Sequence, residues 1–250
     1  MSSARVLIVT GAARGIGAAC ARLGARAGYS VCVNYARSQG AAEQIVQEIR
    51  AGGGRAMAFQ ADVADREQAV AMFRAVDREL GTVTALVNNA GVTGPLTPVE
   101  SIDAAGLDDL FGVNVYSLFW CCGEAVRRMS TRHGGRGGAI VNVGSIAARY
   151  GGMPGMVGYA ASKAAVDGFT LGLAKEVGRD GIRVNCLRPG TTRTDIIVPL
   201  GGEELAARVA AATPLGRLGD PDEIARAILW LVSDAASFVH GAIYDVSGGR

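Results

Sequence analysis

A chain of 250 residues, 49% hydrophobic and 19% charged, is long enough to bury a substantial core. Its formal net charge of +2 comes from interspersed acids and bases, which excludes the basic footprint of a nucleic-acid binder and the polybasic run of a membrane-surface protein. The opening MSSARVLIVTGAARG has too short an apolar run for a secretory signal and no segment approaches a membrane span, so a cytoplasmic protein with small-molecule partners is expected.

Short β-branched runs recur along the chain: RVLIVT (5–10), SVCVN (30–34), RAMAFQ (55–60), VTALV (83–87), AIVNVG (139–144), IRVNCLR (182–188) and AIYDV (242–246). Between them, segments near 15–28, 40–51, 65–80, 107–130, 156–178 and 221–233 carry apolar residues at helical spacing. Strands that alternate with crossovers predict an α/β fold, a Rossmann-like doubly wound parallel sheet of seven strands in three α/β/α layers. No linker composition or repeat interrupts it, and 1–250 reads as a single domain.

At the first strand-to-helix junction lies TGAARGIGAAC, with Gly11, Gly15 and Gly17. Glycine lets a chain leaving a parallel strand turn sharply and approach a pyrophosphate at a helix N-terminus. The spacing departs from G-x-G-x-x-G, because Cys20 stands where the third glycine would fall, so position rather than motif carries this reading. The second strand ends VNYARSQG, with Asn34, Tyr35, Arg37 and Ser38 and no acid before Glu43. An acid there would take the adenosine ribose of NAD. Its absence, with Arg14 and Arg37 available to clamp a 2′-phosphate, favours NADP(H) and leaves NAD(H) possible; the alternative is that both arginines are merely solvated.

The helix at 107–130, LDDLFGVNVYSLFWCCGEAVRRM, is apolar around more of its circumference than one core contact needs, which predicts a subunit contact or a covering loop. In VNVGSIAA, Ser145 follows the fifth strand at the sheet edge where doubly wound folds bind ligands. Tyr159 and Lys163 then stand four apart on a helix, in a chain with only two lysines. Shared helical faces bring an ammonium near a phenol, and lowering the phenol's pKa by roughly three units takes about 4 kcal/mol of differential interaction. The alternative is a packed tyrosine beside a snorkelling lysine. The five cysteines lack CxxC spacing and read as buried small hydrophobes, and neither His133 nor His240 has neighbours that suggest a metal.

With TGAARGIG, NNAG (88–91), GVNVYS (112–117), GS (144–145), YAASK (159–163) and RPGTTRT (188–194) in this order, the chain resembles the short-chain dehydrogenase/reductase family along its whole length. The likeness is to the compact branch with 3-oxoacyl-carrier-protein reductases and glucose dehydrogenases. It implies Tyr159 as proton donor or acceptor, Ser145 as anchor of the substrate oxygen, Lys163 as tuning cation and ribose ligand, and Asn114 as holder of a relay water. It further implies cofactor contacts from the loop including Ile16, from Asp62 and Val63 at the adenine, from Asn89, Ala90 and Gly91, and from Pro189, Gly190, Thr192 and Thr194 beside the nicotinamide. A homotetramer is implied as well.

The stretch from 195 occupies the family's substrate-lid position, near 195–215, with Gly201-Gly202 as a hinge; AARYGGMPGMVG (147–158) supplies the other wall, with Arg149, Met153 and Met156 as candidates to face substrate. The C-terminus reads YDVSGGR where many relatives have Asp-Gly-Gly, which leaves the terminal contact open. The function expected is hydride transfer between a nicotinamide and a carbonyl or secondary alcohol. The alternatives are a non-catalytic dinucleotide-binding sensor, and an epimerase or lyase that recycles its cofactor.

Overall fold

Strand β1 (Arg5–Val9) buries four consecutive apolar residues, as a strand covered on both faces must. It is central to a sheet completed by β2 (Tyr29–Tyr35), β3 (Ala56–Gln60), β4 (Ala85–Asn88), β5 (Gly138–Val143), β6 (Ile182–Pro189) and β7 (Ile243–Val246). All pairings are parallel, in the order β3-β2-β1-β4-β5-β6-β7. The computed structural model describes residues 5–194 and 198–250, and within them the seven predicted strands are all present.

The helices are α1 (Gly15–Arg26), α2 (Gln39–Ala51), α3 (Arg66–Glu79), α4 (Ala104–Phe111), α5 (Ser117–Met129), α6 (Ala147–Tyr150), α7 (Val157–Val177), α8 (Val198–Ala211) and α9 (Pro221–Val232). On one sheet face Ala19, Ile45 and Ile228 from α1, α2 and α9 pack on Val9 and Val31. On the other, Phe73, Cys121 and Val177 from α3, α5 and α7 pack on Ile8 and Ile140. That is the three-layer α/β/α arrangement. Chain order reverses between β1 and β4, so the loops leaving those strands diverge and open a crevice at their carboxyl ends. Among the described residues no helix is long and apolar enough to cross a membrane.

Two differences from the sequence expectation bear on function. The predicted helix at 107–130 is α4 and α5 joined by a wide turn, Gly112–Tyr116, of the kind often found at functional sites, and Asn114 sits in it, buried. Its second apolar face remains open: Tyr116 and Phe119 are exposed, with Leu171 of α7 exposed too and Phe119 edge-on to Phe169 at 4.7 Å. The second difference is α8, which periodicity against the sheet does not announce. Its buried residues Leu205, Ala206 and Val209 form a separate cluster with Leu218, backed by Met153. Gly201 (φ 137°) and Gly202 (φ 55°) break it where the hinge is expected, since only glycine adopts such angles cheaply. Of the expected lid, 195–197 lie outside the described residues.

Candidate active site

The glycine turn after β1 is held from three sides. Asn34 is buried, its Oδ1 accepts from the Gly11 amide at 3.1 Å and its Nδ2 donates to the Ala61 carbonyl at 3.0 Å. The Asn89 side chain donates to the carbonyls of Thr10 and Gly11, each at 3.0 Å, while the Thr10 hydroxyl accepts from the amides of Asn89 and Ala90. A Cβ at Gly11 would stand 2.9 Å from the Ala90 Cα, and one at Gly17 would stand 2.5 Å from both Asn89 Nδ2 and the Gly11 carbonyl. Two of the three glycines are therefore required by contact with the neighbouring loop.

Asp65 and Asp220 cap α3 and α9 with their side chains, but Arg14 precedes α1 without a side-chain cap and the first turn carries no acid. Its amides are left for an anion, which the helix dipole favours. Ile16, Asn89 and Gly91 line the cavity that continues from this turn. A narrow glycine cradle and uncapped amides suit a dinucleotide with its pyrophosphate on α1. At the far end, Tyr35 is buried and Arg37 and Ser38 are exposed. Arg14 lines a side depression with Arg22 and Arg193, which Arg37 does not line. Asp62 accepts the Ala64 amide at 3.0 Å beside buried Val63, just after β3. Of the β2-end residues, Asn34 thus serves the loop from behind.

Ser145 and Tyr159 both line the cavity, and the Ser145 hydroxyl acts on the phenol's proton affinity. Strand β5 ends just before Ser145, whose hydroxyl also accepts the Ala147 amide at 3.1 Å and so opens α6. On α7, Lys163 is 5% exposed, donates to the Val143 carbonyl at 2.9 Å and lies 5.9 Å from the centroid of the Tyr159 ring. Asn114 reaches the same spot from the wide turn: its Oδ1 accepts from Val92 N at 2.9 Å, and its Nδ2 donates to Val92 O at 2.8 Å and to Ser162 Oγ at 3.0 Å. A Cβ on Gly91 would be 3.3 Å from both Asn114 Oδ1 and Lys163 Nζ, so the three elements converge. Both Asn114 amide hydrogens are used by protein, and only the remaining Oδ1 lone pair is left for a water.

The electrostatics correct one expectation. Burial pushes the half-buried Tyr159 phenol above its ordinary value, with Ser145 opposing and Tyr150 reinforcing the rise. Desolvation instead acts on the lysine, bringing its pKa down to about 8 despite the opposing pull of Cys186 and Asp167. The i, i+4 spacing delivers the ammonium beside the ring and to a carbonyl rather than to the hydroxyl. All five cysteines are free and buried, and burial pushes every thiol upward.

The cavity holding these groups encloses about 360 Å³. Pro189, Gly190, Thr192 and Thr194 line one side, Met153 and Met156 another, and Leu205 and Val209 of α8 close over it. A Cβ at Gly190 would stand 2.6 Å from the Ser247 Cα, so the C-terminal tail packs directly on this loop. Arg149 does not line the cavity; it pairs with Asp245 at 3.5 Å. Sequence reasoning missed Tyr150, Arg208 and Arg250, which do line it, and the Asp167–Arg188 ion pair at 2.5 Å beneath Lys163. Asp167 was findable as the residue four beyond Lys163; Arg208 and Arg250 carry no local signal.

Comparison with known proteins accords with this geometry. The family profile described as enoyl-(acyl carrier protein) reductase matches residues 11–250. The uncharacterized oxidoreductase YgfF of Escherichia coli K12 is 45% identical over 98% of this chain and 99% of its own length. The 3-oxoacyl-[acyl-carrier-protein] reductase FabG of Staphylococcus aureus is 37% identical over 100% of the chain and 99% of its own. The cis-4-hydroxycyclohexanecarboxylate dehydrogenase of Sinomonas cyclohexanicum is 38% identical over 98% and 96%.

Proposed function

The chain belongs to the short-chain dehydrogenase/reductase family and is an NAD(P)-dependent oxidoreductase, and from that premise we propose that it prefers NADP(H) and interconverts a carbonyl with a secondary alcohol at Tyr159. The observation that carries this reading is the convergence of Ser145, Tyr159 and Lys163 on one cavity that Ile16 of the glycine turn also lines, with Asn114 behind Gly91 near the lysine. A bound nicotinamide would supply or accept the hydride. Gly11, Arg14, Gly15, Ile16 and Gly17 would hold its phosphates, Arg37 and Ser38 the adenosine end with Asp62 and Val63 at the base, and Asn89, Ala90, Gly91, Thr192 and Thr194 the inner half.

Tyr159 moves the proton at its phenol oxygen. Because burial raises its pKa, the phenol is protonated at neutral pH and suited to donate to a carbonyl oxygen. Ser145 directs a hydroxyl at the same oxygen and fixes which lone pair meets the phenol. Lys163 keeps hydrogens beyond the one given to Val143 for a ribose hydroxyl and for the proton path. Asn114 clamps the loop after β4 to α7 and offers its spare lone pair to a water.

Relatives' names supply the range of substrates: a 3-oxoacyl group on a carrier protein, and a ring alcohol that bears a carboxylate. The exposed face of Tyr116, Phe119 and Leu171 supports self-association, in keeping with the tetramer the family likeness implies. No observation favours the sensor alternative. The test is Tyr159→Phe: NADPH-dependent turnover on a carbonyl panel falls at least ~10²-fold, the usual scale for an acid/base group, while cofactor fluorescence reports binding retained. Undiminished turnover overturns the proposal.

A further inference from the structure

Among the described residues, three cationic side chains and no acidic one line the cavity. Lys163 is spoken for by the chemistry, which leaves Arg208 on α8 and Arg250 at the chain end. They come from one flank: the C-terminal tail is fastened to the turn after α8, where the Leu215 amide donates to the Gly248 carbonyl at 3.2 Å and a Cβ on Gly249 would lie 2.9 Å from Pro214. The Arg250 guanidinium is already oriented, stacked 5.5 Å over the ring of Tyr150, itself a lining residue. The acids nearby are engaged elsewhere. Asp245 pairs with Arg149 and Arg188, and Glu203 and Glu204 of α8 do not line the cavity. The Arg250 carbonyl oxygen accepts from the Ser247 hydroxyl at 2.8 Å, which fixes the tail against this wall.

Around these charges the lining is Met153, Met156, Leu200, Leu205 and Val209, apolar surface that a small neutral polar substrate would not match. Guanidiniums bind carboxylates through paired charge-assisted hydrogen bonds, strongest where water is partly excluded. Resting on the oxidoreductase reading above, we infer that the substrate carries a carboxylate at the end remote from its reacting carbon, taken by Arg208 and Arg250 beneath α8. The acidic head would also draw α8 down, because Arg208 sits beyond the break at Gly201-Gly202. The substrate class is an oxo acid or hydroxy acid with a short apolar spacer.

The test uses the full-length protein with NADP⁺ present and absent, and oxo acids from 4-oxopentanoate to 7-oxooctanoate, each paired with its primary amide. Calorimetry reads binding without needing turnover. The best oxo acid should bind at least ~10-fold more tightly than its amide, the scale of charge-assisted hydrogen bonding. That ratio should fall toward one in Arg208→Gln and in Arg250→Gln. Equal affinity for acid and amide across the series in the wild type, or a ratio that survives both substitutions, overturns the inference. NADPH consumption with the same compounds is scored separately. Amide turned over as well as acid sinks the carboxylate assignment alone, whereas acid bound without any cofactor consumption supports the acidic subsite and sinks the oxidoreductase reading of it.

Discussion

Lys163→Met should change how stability depends on pH, because a buried ammonium is costly to the fold. In the cofactor-free protein the folded lysine gives up its proton near pH 8, against 10.5 for an ordinary lysine. Between those values the unfolded chain binds more protons than the folded one, so this residue makes stability rise with pH. Taking both values, the penalty on the folded state is about 3 kcal/mol at pH 7 and about 1 kcal/mol at pH 10. Methionine keeps the length and apolarity and removes the charge; losing the donation to Val143 adds an offset that does not vary with pH. The five buried cysteines and Tyr159, all raised, act in the opposite sense above their ordinary values, so the wild-type curve alone is uninformative. The informative quantity is wild-type minus variant, from urea unfolding at matched pH. It should climb by about 2–3 kcal/mol between pH 7 and pH 10. A flat difference, or one that falls, refutes the assignment of desolvation as the dominant influence on this lysine.

Gly17→Ala would drive a Cβ to 2.5 Å from Asn89 Nδ2 and the Gly11 carbonyl, so thermal unfolding should show a loss of about 1–3 kcal/mol and NADP⁺ affinity should drop at least ~10-fold. Unaltered affinity would mean the turn is not the cradle. Arg37→Asp, at the exposed end of β2, should lower the NADPH-to-NADH ratio of kcat/KM by at least ~10-fold through charge reversal. A ratio that does not move would transfer the 2′-phosphate to other residues, with Arg14 and Arg193 the first to examine.

What the sequence determined by itself is whatever depends on neighbours along the chain. Seven apolar runs between helical patterns specify a doubly wound sheet, since a fully buried strand and an amphipathic crossover each carry their own period. The glycine turn, Ser145 after β5 and the pair Tyr159 and Lys163 on α7 follow from strand ends and i, i+4 geometry, both local. The break at Gly201-Gly202 is local too, because tolerance of positive φ is a property of the residue. Only the tertiary structure decided the protonation chemistry: burial is a sum over surrounding elements, and it raised the phenol that spacing alone predicts to be lowered. The same holds for the split of the helix at 107–130 around Asn114 and for Arg149 turning to Asp245. It holds most for Arg208 and Arg250, which belong to different segments and share a cavity because the tail packs on the turn after α8.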